Sequence, residues 1–341
     1  MGVTIKEIAE MAGVHRSTVD KVLHNRPGVS DPVRQRVQKI IDQCNYQANP
    51  IGKALKMQER KLHIKIILLE VDARAVLQRG IEEKLRQYAS FQIFLEYVII
   101  SYPDVQAQKK ALDDCVQEKV DGVIMSPINT PEIVQKINAC VEAGIFVVTV
   151  NTDIKGSKRL CFVGQDGFKS GKIAGRLMGE LLQGKGKVVI FTSDESEHQS
   201  FPFGTREEGF RKLVEEYYPE IKLLPSIYTQ EKSQMIYREM TKICQQEEDI
   251  AGIFITCGGV KVVGEVLESY EWKNTKLICY ENYPEILELL KRNTITMTLD
   301  SKIEEQGRKS LEILLDKLIY DRTPTKKHLY SEIEILLRES L

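Results

Sequence analysis

One short stretch of the chain sets out His15, Arg16, Ser17, Thr18, Asp20, Lys21, Asn25 and Ser30. A guanidinium can donate two parallel hydrogen bonds to O6 and N7 of a guanine, while hydroxyls and amides reach base edges or phosphate oxygens. On a helix laid in the major groove, the outward residues of the helix and its approach would be His15, Arg16, Ser17, Asp20 and Lys21. Thr18, Asn25, Ser30 and Thr4, at the start of the preceding helix, suit phosphates. Asp20 would repel phosphate, so it pairs with a basic neighbour or accepts from a cytosine amine. The bland alternative is a solvated helix face whose charges bind nothing.

A second set of polar groups follows apolar runs. Asn151 and Asp153 come after IFVVTV, Asp166 after CFVGQ, Glu281 and Asn282 after KLICY, and Asp300 after ITMTL; Arg206 opens a helix. Carboxylates and amides accept from hydroxyls, Arg206 donates, and Phe168 or Phe203 could cover the apolar face of a sugar ring. Asp153 and Asp166 equally suit helix caps. Arg206 would also suit a carboxylate or phosphate, so a sugar acid or sugar phosphate stays open.

The elements that must position these groups are readable from periodicity. Ile5, Ile8, Ala9 and Ala12 recur at helical spacing until Gly13 breaks the pattern; Val19, Val22 and Leu23 mark a second helix from about Arg16. Val33, Val37, Ile40 and Ile41 mark a third, from Asp31 to about Gln43. Two helices joined by a tight glycine turn, with a third closing the core, make a helix-turn-helix. The segment QANPIGKALKMQERK follows as a polar linker with a short helical pattern from Pro50 to Lys56, weakened by Gly52. From Leu62 onward nine β-branched or aromatic runs alternate with amphipathic stretches. That alternation predicts parallel sheets covered on both faces, and so many strands predict two similar subdomains.

Composition narrows the function classes. The 341 residues carry a net charge of −1, yet positions 1–61 sum to +5 and the remainder to −6. A basic head on an acidic body suits a phosphate-binding module joined to something that does not bind nucleic acid. Seven scattered cysteines without a C-x-x-C pair read as free thiols in a reducing cytoplasm, with no metal site. Neither a secretory leader nor a membrane span is expected. Gly184-Lys185-Gly186-Lys187 lacks Walker spacing, and G-x-S-x-G and H-E-x-x-H do not occur, so no catalytic residues, no cofactor and no enzyme are expected.

Taken together, Thr4 to Ala9, Ala12-Gly13-Val14, Ser17-Thr18-Val19, Val22-Leu23, Val29-Ser30, Asn45-Tyr46, Asn49-Pro50 and Ala54-Leu55 resemble the lactose-repressor (LacI-type) family of bacterial regulators. The remainder, clearest from Asp121 to Leu182 and around Arg206 to Phe210, is similar to a ribose-binding-protein type of sensor. The resemblance implies a small all-α helix-turn-helix head plus an α/β periplasmic-binding-protein-like body of two parallel-sheet subdomains. It implies a head at 1–48, a hinge helix or linker at 49–61 and a sensor at 62–341. One subdomain would take about 62–165 and 295–325, the other about 166–294 and 326–341. Arg16 and Ser17 would hold the main base-reading positions and Lys21 a further one; Leu55, beside Lys56, would wedge into the minor groove. Asn151, Asp153, Asp166, Arg206, Glu281 and Asp300 would bind the effector. The expected function is a cytoplasmic, homodimeric repressor that reads double-stranded operator DNA as an imperfect palindrome and senses a small sugar or sugar derivative. The competing class is a stand-alone solute-binding module. Cys257-Gly258-Gly259 stands where ribose-type sensors often carry Asn-Asp, and the loop near Asp72 lacks their Pro-Phe pair.

Overall fold

The computed structural model describes residues 3–23, 26–44, 55, 57–193, 202–246 and 249–341. The chain divides into two compact units, 1–57 and 58–341.

In the first unit, α1 (Ile5–Ala12) starts from a capping box. The Glu7 N–H donates to Thr4 Oγ1 at 3.3 Å, and the Thr4 N–H donates back to the Glu7 carboxylate at 2.6 Å. Gly13, at φ 60°, closes the helix by donating its N–H to the Ala9 and Glu10 carbonyls. Next come α2 (Arg16–Leu23) and α3 (Asp31–Gln43). Ile8, Ala9, Ala12, Val19, Val22, Val37 and Ile41 are buried together, with Ile5, Leu23, Val33 and Ile40 packed around them. The apolar stripe of each helix therefore meets the other two, as its spacing predicts.

The second unit runs β1 (Lys61–Leu69), α4 (Ala73–Arg86), β2 (Gln92–Ile100), α5 (Val105–Glu118), β3 (Gly122–Met125), α6 (Pro131–Glu142), β4 (Phe146–Val150) and β5 (Cys161–Gly164). It continues with α7 (Gly167–Leu181), β6 (Gly186–Thr192), α8 (Pro202–Tyr217), β7 (Ile221–Leu223), β8 (Ile227–Tyr228), α9 (Ser233–Gln246) and β9 (Ile250–Ile255). Last come α10 (Val260–Ser269), β10 (Lys276–Tyr280), α11 (Pro284–Lys291), β11 (Met297–Asp300), α12 (Ile303–Tyr320), β12 (His328–Tyr330) and β13 (Glu334–Leu336). One parallel sheet has the order β12-β5-β4-β3-β1-β2. The other has β13-β11-β10-β9-β6-β7, with β8 also on β6, and is parallel except where β13 meets β11. Ile, Val and Leu of the inner strands are buried on both faces, which is why those runs read as continuous rather than alternating, whereas the edge strand β2 leaves Phe94 and Ile99 exposed.

Two expected boundaries are corrected. Residues 295–325 were assigned to the first subdomain, but β11 pairs in parallel with β10, Met297 opposite Ile278, so it belongs to the second sheet. Met297 and Leu299 bury against Ile278, Phe254 and Tyr280, and that burial holds the strand there. Conversely β12, expected in the second subdomain, pairs with β5 of the first, His328 opposite Phe162. The chain thus crosses between sheets after Gly164, after Asp300 and after Tyr330. These crossings are bound together. The Ser331 N–H donates to the Gly164 carbonyl at 2.8 Å, and Ser331 Oγ and Gln306 Nε2 donate to the Ser301 carbonyl at 2.8 and 2.7 Å.

Candidate functional site

On the head, α2 presents Arg16 and Ser17 to solvent, with Thr18, Asp20 and Lys21 half-buried beside them. His15 Nδ1 lies 2.8 Å from Ser17 Oγ and accepts the Ser17 N–H at 3.3 Å, which steadies the first turn of the helix. Asp20 pairs with Arg26 at 3.2 Å, so the carboxylate is neutralised by a basic neighbour, the first of its two expected roles. Thr4, expected on a phosphate, spends its hydroxyl in the capping box, donating to Glu7 at 2.9 Å. Ser30 is exposed at the start of α3 and makes no side-chain cap. Leu55 is 60% exposed. Asn25, Lys56 and most of the Pro50–Lys56 segment lie outside the described residues.

In the body, polar groups gather at the carboxyl ends of strands from both sheets, where ligands bind in open α/β folds. Arg206 is the hub. Two backbone contacts fix its position: a Cβ on Gly171 of α7 would lie 1.9 Å from the Arg206 carbonyl oxygen, and one on Gly209 2.1 Å from that of Phe168. Only glycine lets α7 and α8 approach so closely. Arg206 is 3% exposed. Its Nε and one terminal nitrogen donate to Gln165 Oε1 at 3.1 and 2.9 Å. The other terminal nitrogen donates to the Thr256 carbonyl at 2.9 Å. Glu281 Oε1 lies 3.2 Å away, and the guanidinium stacks on the Tyr280 ring, 3.6 Å from its centroid.

Burial pushes the Glu281 carboxyl above its ordinary range, against the pull of Arg206 and of Ser301. Ser301 Oγ donates to Glu281 Oε2 at 2.6 Å, so this carboxylate ties the guanidinium to one of the crossings. Asp300 is buried and accepts from Asn282 Nδ2 at 3.0 Å and from the Lys302 N–H at 2.9 Å, with Lys302 Nζ at 3.3 Å. Across from them, the Gly258 N–H donates to Glu231 at 2.7 Å. Burial raises Glu231, and a nearby Asp72 adds to the rise. Asn151, Gln230, Glu231, Glu281 and Lys302 all adopt positive φ, between 49° and 75°. Non-glycine residues held there are strained, and such strain clusters at ligand sites.

The expected ligand residues therefore divide. Arg206 and Glu281 meet, and Asp300 lies one residue from Ser301, which bonds Glu281. Asp153 is held elsewhere: both its oxygens lie 2.5 Å from Arg159, with His328 at 3.4 Å. Asp166 caps α7, accepting the Lys169 N–H at 3.0 Å. Asn151 gives its N–H to the Val163 carbonyl at 2.9 Å. Phe203 lies 5.9 Å from the Arg206 guanidinium, whereas Phe168 faces Lys172 and Lys212. Sequence reading missed Gln165, Glu231 and Asp72 as ligand candidates. Gln165 directly follows a strand, a signal that could have found it; Glu231 and Asp72 carry no motif. Separately, His63, Glu96 and Glu118 cluster with metal-like spacing. Lys65 Nζ stands among them, 3.2 Å from Glu96 and 2.8 Å from Glu118, and supplies the positive charge itself.

Sheet order, crossings and cleft define a two-lobed binding body behind a helix-turn-helix. Residues 4–49 match the bacterial regulatory proteins of the lacI family, and residues 73–321 match the periplasmic binding protein domain. Over most of its length the chain belongs to the periplasmic binding protein domain family, and its head is a lacI-type helix-turn-helix domain. The HTH-type transcriptional repressor PurR of Proteus mirabilis is 23% identical over 94% of this chain and 91% of its own. The sucrose operon repressor of Staphylococcus xylosus is 27% identical over 57% of each. Among solved structures, GanP, a glucose-galactose binding protein from Geobacillus stearothermophilus, superposes with a TM-score of 0.74 at 22% identity. It covers 83% of this chain and 99% of its own. Among the described residues no helix is long and apolar enough to cross a membrane.

Proposed function

We propose that the protein is a transcriptional repressor that binds operator DNA through its head and releases or engages it in response to a small polyhydroxy effector in the cleft. One observation carries the reading: an exposed Arg16–Ser17 edge on a capped helix-turn-helix shares a chain with a hinged body whose strand ends converge on Arg206. Arg16 and Ser17 read bases, Lys21 extends that contact, and Thr18, Ser30 and His15 position the head. Leu55 enters the minor groove as an apolar wedge. A single head covers too little DNA for tight specific binding, so the protein works as a homodimer on an imperfect palindrome, in the cytoplasm where operator DNA lies.

In the cleft, Arg206, Glu281 and Asp300 are the polar groups that meet the effector. Asp153, engaged by Arg159, and Asp166 and Asn151, engaged by local backbone, hold the strand ends in shape. The likeness in name to a sucrose operon repressor supports a sugar or sugar derivative. Arg206 is already satisfied by Gln165, Thr256 and Glu281, so the cleft lacks the open guanidinium that a sugar acid or sugar phosphate would need. Effector binding shifts the population between lobe arrangements, and the linker passes that shift to the head. The test is a gel-shift series on the full chain. Arg16→Ala must flatten discrimination between operator and scrambled duplex, and intact discrimination would falsify the base-reading assignment.

A further inference from the structure

The two lobes bring like charges to one point. Asp72 leaves the end of β1 in the first sheet; Glu231 follows β8 in the second. Both approach Gly258: an atom at its Cβ position would lie 3.0 Å from Glu231 Oε1 and 3.7 Å from Asp72 Oδ2. Among the described residues neither carboxylate makes an ion pair. Loss of solvent and Glu285 push Asp72 up; burial and Asp72 push Glu231 up, opposed by the Gly258 N–H and by Arg206.

A second observation points to what is missing from this arrangement. Gln165, 5% exposed, has its oxygen clamped by Arg206, while its amide nitrogen is buried and finds no acceptor among the described residues. An orphan donor of that kind calls for an oxygen acceptor. The cleft thus offers one spare donor beside Arg206 and two carboxylates, the exposed Asp72 of one lobe and the half-buried Glu231 of the other, that both approach Gly258 without an ion pair among the described residues.

We infer that the effector is a polyhydroxy compound carrying a protonated amine, an amino sugar in class, whose ammonium lies between Asp72 and Glu231 and whose oxygen accepts from Gln165. The inference rests on the cleft reading above and narrows it. An ammonium offers three donors and can bridge two carboxylates by short charge-assisted bonds. An anion would add to the repulsion, and a neutral sugar would leave it in place. A divalent metal would need more oxygen ligands than Asp72 and Glu231 provide, one of which already accepts from Gly258.

The experiment is calorimetric titration of the full-length protein at neutral pH. The probes are D-glucosamine and D-galactosamine against D-glucose and D-galactose, with D-glucose 6-phosphate and magnesium chloride as further arms. An amino sugar binding at least about tenfold more tightly than its parent is the expected result, and Asp72→Asn and Glu231→Gln should each shrink that ratio about tenfold. Circular dichroism checks that each variant folds, and the wild-type ratio decides the matter if one does not. A parent sugar that binds as well as its amine, or a preference for the phosphate or for magnesium, overturns the amine inference and leaves the cleft reading standing. Silence from every probe overturns both.

Discussion

The head and the cleft handle their polar groups in opposite ways. On the head, Arg16 and Ser17 project from a helix seated by Ile8, Val19, Val22 and Val37; both are exposed, Ser17 bonding only the neighbouring His15. In the cleft, Arg206, Gln165, Glu281 and Ser301 bond in a chain, Asp300 beside them is taken by Asn282 and Lys302, and Glu281 sits on left-handed backbone. The difference follows from what each must do. A reader of DNA finds its partners on the duplex, so an unengaged side chain in water costs nothing while it waits. A buried cleft has little water to fall back on, so most of its polar groups bond one another, and the few left over, such as the Gln165 amide nitrogen, await a ligand.

The sharpest way to break this comparison is to remove the hub. Arg206→Ala leaves Glu281 buried without its counter-ion and strips Gln165 and Thr256 of their donors. Denaturant unfolding of the body should show a loss of about 3–5 kcal/mol, and effector response should vanish. A loss below about 1 kcal/mol would mean that the network contributes little. On the head the same logic predicts the reverse. Arg16→Ala should leave the melting temperature unchanged while operator affinity falls by about 1–3 kcal/mol and scrambled-duplex affinity hardly moves. A variant that unfolds the head would show Arg16 to be structural.

Smaller effects sharpen the contrast. Thr4→Ala removes the capping hydroxyl of α1 and should lower head stability by about 1 kcal/mol, read by thermal melting. If DNA binding fell instead with stability intact, Thr4 would be a phosphate contact after all. The smallest effect concerns pH. Asp72, Glu231 and Glu281 are all raised in the folded protein, so each favours folding most below its unfolded pKa. That contribution is lost as pH rises through the folded values. Body stability should therefore decline from about pH 4 upward by this route. Glu231→Gln should make the decline shallower, and an unaltered slope would rule Glu231 out as a contributor.

Much of this was legible in the sequence, and the failures have physical causes. The head is written in local signals, since apolar spacing, the Thr4–Glu7 box and Gly13 all act within a turn or two. Eight of the nine longer strands were equally plain because burial on both faces makes each an unbroken apolar run, and the edge strand β2 showed through its β-branched and aromatic residues. By contrast β7, β8, β12 and β13 span two or three residues, and only their partners in the sheet make them strands. The crossing after Asp300 was misplaced because nothing in ITMTLD says which sheet it joins. Glu281 and Asp300 lie at the strand ends where the sequence puts them, and Arg206 lies in the helix it was read to open. The same rule misled at Asp153, where Arg159 arrives six residues later to occupy the carboxylate. The meeting of Asp72 with Glu231 depends on the folding of two sheets and has no trace in either segment.

The bonds that gather the three crossings carry a consequence for how such a protein can evolve. Arg206 holds Glu281, Glu281 accepts from Ser301, and the Ser301 carbonyl accepts from Ser331 and Gln306. On the proposed reading, the groups that would choose a molecule and those that join the lobes are thus one bonded set. A substitution near Glu281 that changes which compound is preferred will also reset how much operator is occupied when the cleft is empty. Lineages that acquire a new inducer should accordingly carry compensating changes at the crossings. Head residues such as Arg16, separate from this set, are free to drift toward new operators on their own.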